Sequence, residues 1–150
     1  MSTVDPTIQP LREGDLSEVL QLEAENPSPW SRALWVDELR QPGGWQWQAR
    51  DRGTGDLLGF LCGRTVGSEA ELFKLAVAAS GRRRGIATAL LAHACRMLRN
   101  GGVAVLYLEL RCSNEAAMAL YTRMGFSISG VRKGYYTDPG EDALVMMKRL

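Results

Sequence analysis

The sequence predicts a mixed α/β domain in which helices cover both faces of a central sheet. Short apolar runs, some alternating with polar residues, are typical of strands, and longer stretches carry apolar residues at helical spacing. Their order is one strand, two helices, three strands, a helix, a strand, a helix and two strands, which favours a mixed sheet. Because 150 residues with 45% apolar content can bury a real core, we expect a single domain over residues 1–150.

The composition argues against several other classes of protein. A formal charge of +1 argues against a dedicated nucleic-acid or membrane-surface protein, and no apolar run approaches the roughly 20 residues of a membrane span. No secretory signal is visible at the N-terminus. Three widely spaced cysteines favour a reducing compartment, and a single histidine leaves little for a metal site. We therefore expect neither a bound metal nor a nucleic-acid partner.

An edge strand and two helices are predicted before residue 45. Thr7–Arg12 has strand character, and its proline favours an edge position because proline cannot donate a hydrogen bond to a neighbouring strand. Asp15 is expected to cap the first helix, with Glu18 completing a capping box. A proline-containing break over residues 26–29 precedes the second helix, for which Ser31 is the expected cap.

Six strands and two helices are predicted in the rest of the chain. Trp45–Arg50 alternates aromatic and polar residues, and a glycine-containing turn connects it to a strand over Leu57–Thr65. Val103–Leu110 is almost continuously apolar, which predicts a central strand buried on both faces. The other expected elements are a strand at Glu71–Val77, a helix at Ile86–Asn100, a helix at Glu115–Met124, and strands at Phe126–Tyr136 and Ala143–Arg149.

The segment between the strand at Glu71–Val77 and the helix at Ile86 is suited to a phosphate or pyrophosphate. The first turn of a helix presents free N–H groups and the positive end of the helix dipole. Gly85 would let the backbone approach a ligand closely, and Arg82, Arg83 and Arg84 add positive charge. The alternative is a solvated basic loop that binds nothing.

Arg82-x-x-Gly85-x-Ala87 resembles the acetyl-CoA pyrophosphate loop of the GNAT superfamily of N-acetyltransferases. Other motifs resemble the branch that acetylates the N-terminal alanine of ribosomal proteins. These motifs are Pro29-Trp30-Ser31, the segment Leu108–Asn114, Ala119-Leu120-Tyr121, Gly125-Phe126, the segment Arg132–Tyr136, and Glu141-Asp142-Ala143. The resemblance implies a GNAT (acyl-CoA N-acyltransferase) fold, whose mixed central sheet contains splayed strands.

The resemblance also implies acetyl-CoA as the cosubstrate and positions for its binding. A strand would hydrogen-bond the pantetheine arm through its backbone, the loop would hold the pyrophosphate, and an asparagine would contact the cofactor. The matching residues are Leu75, Ala76 and Val77 for the strand, Arg82, Arg83, Arg84, Gly85, Ile86, Ala87 and Thr88 for the loop, and Asn114 for the asparagine. Asn114 is also suited to capping the helix that follows it, and the two roles are compatible.

By the same resemblance, Glu109 matches the proposed general base and Tyr121 the group that protonates the departing thiolate. The chemistry is consistent with these roles, since an attacking amine must lose a proton and a thiolate must gain one. Other interpretations stay open: Glu109 could be a solvated strand end, and Tyr121 shares an apolar stripe that would pack in the core. Trp30, Tyr135 and Tyr136 are expected to line the acceptor groove, although packing alone is an equal explanation for Trp30.

The function that follows is transfer of an acetyl group from acetyl-CoA to the N-terminal α-amine of a protein. The acceptor implied is the N-terminal alanine of a small-subunit ribosomal protein in the bacterial cytoplasm. The alternatives are a GNAT enzyme that acts on protein lysines or a small amine, and a CoA-binding module without catalysis. Two expectations concern the acceptor: Lys74 would alter its preference if it faced the groove, and Arg111, Arg132 and Lys133 would meet acidic acceptor residues.

Overall fold

The protein, as a computed structural model, is described over residues 6–150 and contains one seven-stranded sheet with helices on both faces. Every predicted helix and strand is present, with ends that differ from the prediction by at most three residues. The strands are β1 (Thr7–Pro10), β2 (Gly44–Arg50), β3 (Leu57–Val66), β4 (Glu69–Val77), β5 (Val105–Arg111), β6 (Ser127–Thr137) and β7 (Gly140–Arg149). The helices are α1 (Leu16–Glu23), α2 (Arg32–Leu39), α3 (Ile86–Asn100) and α4 (Glu115–Arg123).

The sheet has the order β1-β2-β3-β4-β5-β7-β6, so β1 is an edge strand, as its proline predicted. Every pair of neighbouring strands is antiparallel except β4 and β5, which are parallel and are connected through α3. The parallel pair lies near the middle of the sheet, where β3 is the other neighbour of β4 and β7 is the other neighbour of β5.

Two hydrophobic cores hold the helices against the sheet. The apolar stripe of α3, together with Tyr121 of α4, packs against one face of the sheet. Helices α1 and α2 pack against the opposite face through a second core that contains Trp35 and Phe60. Alternation along β3 explains the division, because Leu61 belongs to the first core and its neighbour Phe60 to the second.

The two expected N-caps have different outcomes. Ser31 caps α2 as predicted, since its hydroxyl accepts a hydrogen bond from the amide of Leu34 at 3.2 Å. The capping box predicted for Asp15 and Glu18 is wrong. The Asp15 carboxylate instead accepts from the side chain of Gln48 at 2.8 Å and from Arg50 at 3.2 Å. Tertiary donors from β2 have replaced the local backbone donors of the helix.

The prediction that β5 is buried on both faces is also wrong. Leu106, Leu108 and Leu110 are buried against the core that contains α3, but the alternate residues Tyr107 and Glu109 are only partly covered. Their face is open because the core that holds α1 and α2 against the sheet includes no residue of β5. The apolar pattern of β5 is consistent with its central position in the sheet, but it does not show that one face of the strand is open.

Candidate active site

A fork between β4 and β5 organises the site. The two strands pair only from Glu69–Val105 to Leu72–Leu108. Beyond that point β4 continues beside β3 as far as Val77, while β5 continues beside β7 as far as Arg111. Among the described strands, none pairs with the two inner edges of the fork, so their backbone groups face an opening.

On one side of the fork lies the loop that the sequence predicts to bind the cofactor. A cavity of about 280 Å³ follows the loop into the start of α3. Gly85 is the N-cap of α3, has a φ of +77°, and provides no capping side chain, so the first-turn N–H groups remain available to an anion. The lining residues are Val77, Gly81, Arg82, Arg83, Gly85, Ile86, Ala87, Thr88, Leu120 and Arg123.

The three loop arginines do not share one environment. Arg83 has a φ of +61°, an uncommon backbone conformation for a residue with a side chain. Arg84 turns away from the cavity, because its guanidinium donates to the carbonyl of Ser80 at 2.7 Å and to Asp51 at 3.3 Å. Arg123 of α4 lines the same cavity and was not identified in the sequence, where it is an ordinary helix-end residue.

These features fit an extended acyl-CoA. The edge of Leu75–Val77 that faces the fork has no partner among the described strands, so its backbone can hydrogen-bond the amides of a pantetheine arm. The loop before α3 follows this edge in the chain, and its contact with the pyrophosphate stays a prediction. Asn114 caps α4, since its side chain accepts from the amide of Ala117 at 3.1 Å; its contact with a cofactor stays a prediction.

Tyr121 lies in α4, on the face of the sheet covered by α3. Its side chain is buried, and its ring meets Phe126 edge to face at a centroid distance of 5.5 Å. Burial raises the pKa of Tyr121 to about 12, because the phenolate would lose its hydration. The hydroxyl therefore keeps its proton at neutral pH, as a proton donor must.

Glu109 follows the point at which β5 leaves β4, and its carboxylate is paired with Arg132. Arg132 of β6 donates to its Oε1 at 2.7 Å. A hydrogen bond to Glu109 is also the main cause of a raised pKa at Tyr135. Arg132 and Tyr135 contact each other as well, with the guanidinium 4.4 Å from the ring centroid. The structure thus brings the predicted base together with one predicted acceptor residue.

The acceptor side of the fork contains two cavities, of about 470 and 350 Å³. We call them together the acceptor cleft. Trp30, Tyr135 and Tyr136, the three predicted groove residues, all line the smaller cavity. Four residues line both cavities: Arg64, Glu71, Phe73 and Glu109. Of these only Glu109 was predicted, because a carboxylate, an arginine or a phenylalanine within a strand gives no signal of its own.

Lys74 does not face the acceptor cleft as a free cation. Its Nζ donates to the Glu23 carboxylate and to the carbonyl of Ser28, each at 2.8 Å, and lies 4.7 Å from the Trp30 ring centroid. Glu23 is fully buried and also accepts from the Trp30 amide at 2.7 Å and the Trp35 indole at 2.9 Å. This cluster ties the segment between α1 and α2 to β4, and thereby positions Trp30.

We expect Lys74→Met to lower the free energy of unfolding by about 3 kcal/mol, because it leaves the buried Glu23 carboxylate without its cation. Chemical denaturation measures the change. Adding Glu23→Gln should restore part of the loss, since glutamine still accepts from the Trp30 amide without carrying a charge. Lys133→Met is the matched control: it removes an exposed partner of Asp142 and should change stability by less than about 0.5 kcal/mol. Equal stability of Lys74→Met and wild type would contradict this account.

The expected basic rim is already neutralised within the protein. Arg111 pairs with Glu141 at 3.4 Å, Arg132 with Glu109 at 2.7 Å, and Lys133 with Asp142 at 3.7 Å. A contact between these cations and acidic residues behind the acceptor's terminus would compete with these pairs, and it stays a prediction.

In this protein a parallel pair of strands splays next to a glycine-capped helix start, and a cleft lies on the other side of the fork. This arrangement defines the fold of acyl-CoA-dependent N-acyltransferases. The chain belongs to the Acetyltransferase (GNAT) family, whose sequence pattern matches residues 14–126. The crystal structure of the ribosomal-protein-S18-alanine N-acetyltransferase from Escherichia coli superposes with a TM-score of 0.87 at 34% identity, over 97% of this chain and 94% of that chain.

Two curated relatives are similar in sequence. The N-alpha-acetyltransferase RimI of Mycobacterium tuberculosis is 36% identical over 149 residues, which cover 95% of this chain and 91% of that protein. The [ribosomal protein bS18]-alanine N-acetyltransferase of E. coli K12 is 44% identical over 94 residues. That alignment covers 61% of this chain and 64% of the E. coli protein, so the chain spans somewhat less than two thirds of this relative's length.

Residues 6–150 contain neither a candidate metal-ion site nor a candidate membrane-spanning helix. No group of three or more His, Cys, Asp or Glu side chains in this range is arranged to hold a metal ion. No helix in the same range is long and apolar enough to cross a membrane.

Proposed function

We propose that this protein transfers the acetyl group of acetyl-CoA to the N-terminal α-amine of a protein, and that the acceptor is the N-terminal alanine of a small-subunit ribosomal protein. The observation that supports the proposal is the fork, which brings an unpaired strand edge and the glycine-capped loop before α3 next to a cleft that contains Glu71 and Glu109. The names of the E. coli and M. tuberculosis relatives support an α-amine acceptor. We also propose that residues 1–150 form one domain that acts in the cytoplasm.

Different residues around the fork have different roles in the proposed reaction. The cleft carboxylates receive the acceptor as an ammonium ion, and the amine attacks the thioester directly once it has lost a proton. Tyr121, with its pKa of about 12, donates its proton to the departing sulfur. Backbone groups of Leu75–Val77 hold the acyl donor in line with the cleft, so positioning supplies much of the acceleration.

An α-amine suits this cleft better than a lysine side chain. The pKa of an α-amine is near 8 and that of a lysine near 10.4, a gap of about 3 kcal/mol in the cost of deprotonation. The predicted base does not compensate for that gap, because the Glu109 carboxylate is already paired with Arg132.

An alanine-first peptide should therefore be acetylated at least tenfold faster than the same peptide blocked at its N-terminus and carrying an internal lysine. Mass spectrometry of both products, with release of the CoA thiol as a second readout, measures the difference. Faster acetylation of the internal lysine would favour the lysine alternative. Binding of acetyl-CoA without thiol release on any amine would favour a non-catalytic module.

A further inference from the structure

Arg84 differs from its neighbours in the loop before α3. Arg83 and Gly85 line the cavity at the start of that helix, but Arg84 is not among the lining residues. Its guanidinium is directed to two oxygens instead. Nη1 donates to the Ser80 carbonyl at 2.7 Å, and Nη2 donates to Oδ2 of Asp51 at 3.3 Å. The side chain therefore joins the loop to another part of the protein and does not extend into the cavity.

The backbone on either side of Arg84 needs support from elsewhere in the protein. Arg83 has a φ of +61° and Gly85 a φ of +77°, so two left-handed residues flank Arg84. A left-handed conformation is uncommon at a residue with a side chain, and it persists where the surrounding structure holds it. The hydrogen bond to Ser80 connects this reversal of the chain to the preceding 3₁₀ turn at Ala79–Gly81.

Asp51 provides the fixed end of the connection. It lies in the turn between β2 and β3, where its Oδ1 accepts from the backbone amides of Gly53 at 2.8 Å and Thr54 at 3.0 Å. Its Oδ2 accepts from Arg84, so each oxygen has a separate role. The pKa of Asp51 is lowered, first by the hydrogen bonds from Thr54 and Gly53 and further by Arg84, while desolvation acts in the opposite direction. The carboxylate is therefore ionised at neutral pH.

This pair is better shielded from solvent than the other ion pair of the loop. The exposed fraction of the side chain is 25% for Arg84 and 23% for Asp51. Arg82 and Glu25 are 63% and 62% exposed, and their charged groups are 4.0 Å apart. An exposed pair at that distance contributes little to stability. Arg82, which does line the cavity, is thus available to an anion, whereas Arg84 is held in place.

We propose that Arg84 and Asp51 are positioning residues that hold the loop in the conformation that binds the pyrophosphate of acetyl-CoA, and that the Arg84 guanidinium does not contact the phosphates. The inference rests on the proposed use of acetyl-CoA, and it gives the Arg84 side chain a different role from that of Arg82. A loop that is ordered before the ligand arrives loses less conformational freedom on binding, so its affinity is higher.

The test is the affinity for acetyl-CoA, measured by calorimetry for wild type, Arg84→Met, Asp51→Asn and the double variant. We expect Arg84→Met to bind about tenfold more weakly, which corresponds to ordering the backbone of one residue on binding. Asp51→Asn retains an acceptor for the turn but loses the charge, so we expect binding about threefold weaker. The double variant should bind no more weakly than Arg84→Met, because the two residues act through one contact.

Asp51→Asn also distinguishes positioning from direct contact. If Arg84 bound the phosphates, Asp51 would be a competing anion, and its neutralisation would strengthen the binding of acetyl-CoA. Asp56→Asn is the matched control, because Asp56 is an exposed acid of the same turn and is not a partner of the Arg84 side chain. It reports the effect of the lost charge alone.

Kinetics with two acyl donors separates positioning of the loop from general damage to the site. S-acetylpantetheine has the thioester and the pantetheine arm but no pyrophosphate. In Arg84→Met the KM for acetyl-CoA should rise, while kcat at saturation and kcat/KM for S-acetylpantetheine keep their wild-type values. Arg84→Lys retains the charge but not the planar fork, so it should recover only part of the affinity.

The proposal is wrong if Asp51→Asn binds acetyl-CoA more tightly than Asp56→Asn, or if the losses add in the double variant. A parallel fall in kcat/KM for both acyl donors would also overturn it. If Arg84→Met does not fold, the comparison of Asp51→Asn with Asp56→Asn decides the question alone. If wild type itself does not bind acetyl-CoA, the proposed function falls instead, and that measurement comes first.

Discussion

Replacing Tyr121 with phenylalanine is expected to lower kcat by about 10²-fold and to leave the affinity for acetyl-CoA unchanged. The substitution removes one oxygen and keeps the ring that packs against Phe126. The thiolate would then depart without a proton donor. Steady-state kinetics at saturating substrates measures kcat, and calorimetry measures cofactor affinity.

The pKa of Tyr121 also predicts how the loss of kcat depends on pH. Since burial raises that pKa to about 12, the donor is fully protonated in wild type up to about pH 10, and the loss should be constant across that range. Thermal unfolding of the variant should match wild type, which separates loss of the proton donor from loss of packing. Wild-type turnover in a folded Tyr121→Phe variant would exclude the role.

Replacing Gly85 with valine is expected to weaken acetyl-CoA binding by about 10²-fold. A branched side chain is strained at a φ of +77°, so the loop must change its conformation and the first-turn N–H groups of α3 lose their alignment. Hydrogen bonds to a charged group contribute about 1.5–3 kcal/mol each, and every 1.4 kcal/mol is tenfold in affinity, so misplacing one or two gives this range.

Gly102→Val is the matched control for that experiment. Gly102 follows the other end of α3, has a φ of +91°, and has open space where a Cβ would lie. Valine there carries a similar backbone strain far from the loop, and it should lower stability without changing cofactor affinity. Equal affinity of Gly85→Val and wild type in calorimetry would refute the assignment of the loop.

Much of the fold could be predicted because its signals are local. The buried stripe of α3, the cap at Ser31 and the proline in the edge strand each depend on residues a few positions apart. The same holds for the loop at Gly85, whose spacing before a helix predicts an anion site and whose glycine is the N-cap of α3. The capping box at Asp15 failed because a distant strand supplied better donors.

The candidate site was predictable only in part. The three groove residues do line one cavity, and Glu109 does lie beside Tyr135, but their catalytic and binding roles stay predictions. Glu71 and Arg64 were missed, because charged residues are common in strands. Only the separation of the neighbouring strands shows that these two line a cleft. Lys74 was noticed in the sequence, but its partner Glu23 lies in a distant helix.

The sequence by itself determined the order of helices and strands, the glycine-containing loop before α3, and the resemblance to the GNAT superfamily, because periodicity, caps and short motifs depend on residues close together in the chain. Only the tertiary structure decided where β4 and β5 part, which carboxylate Arg132 holds, and that Glu71 lines the acceptor cleft. Those outcomes depend on pairing and charge compensation between residues far apart in the chain. The environment of an ionisable group is set by such neighbours, and its chemistry follows from that environment.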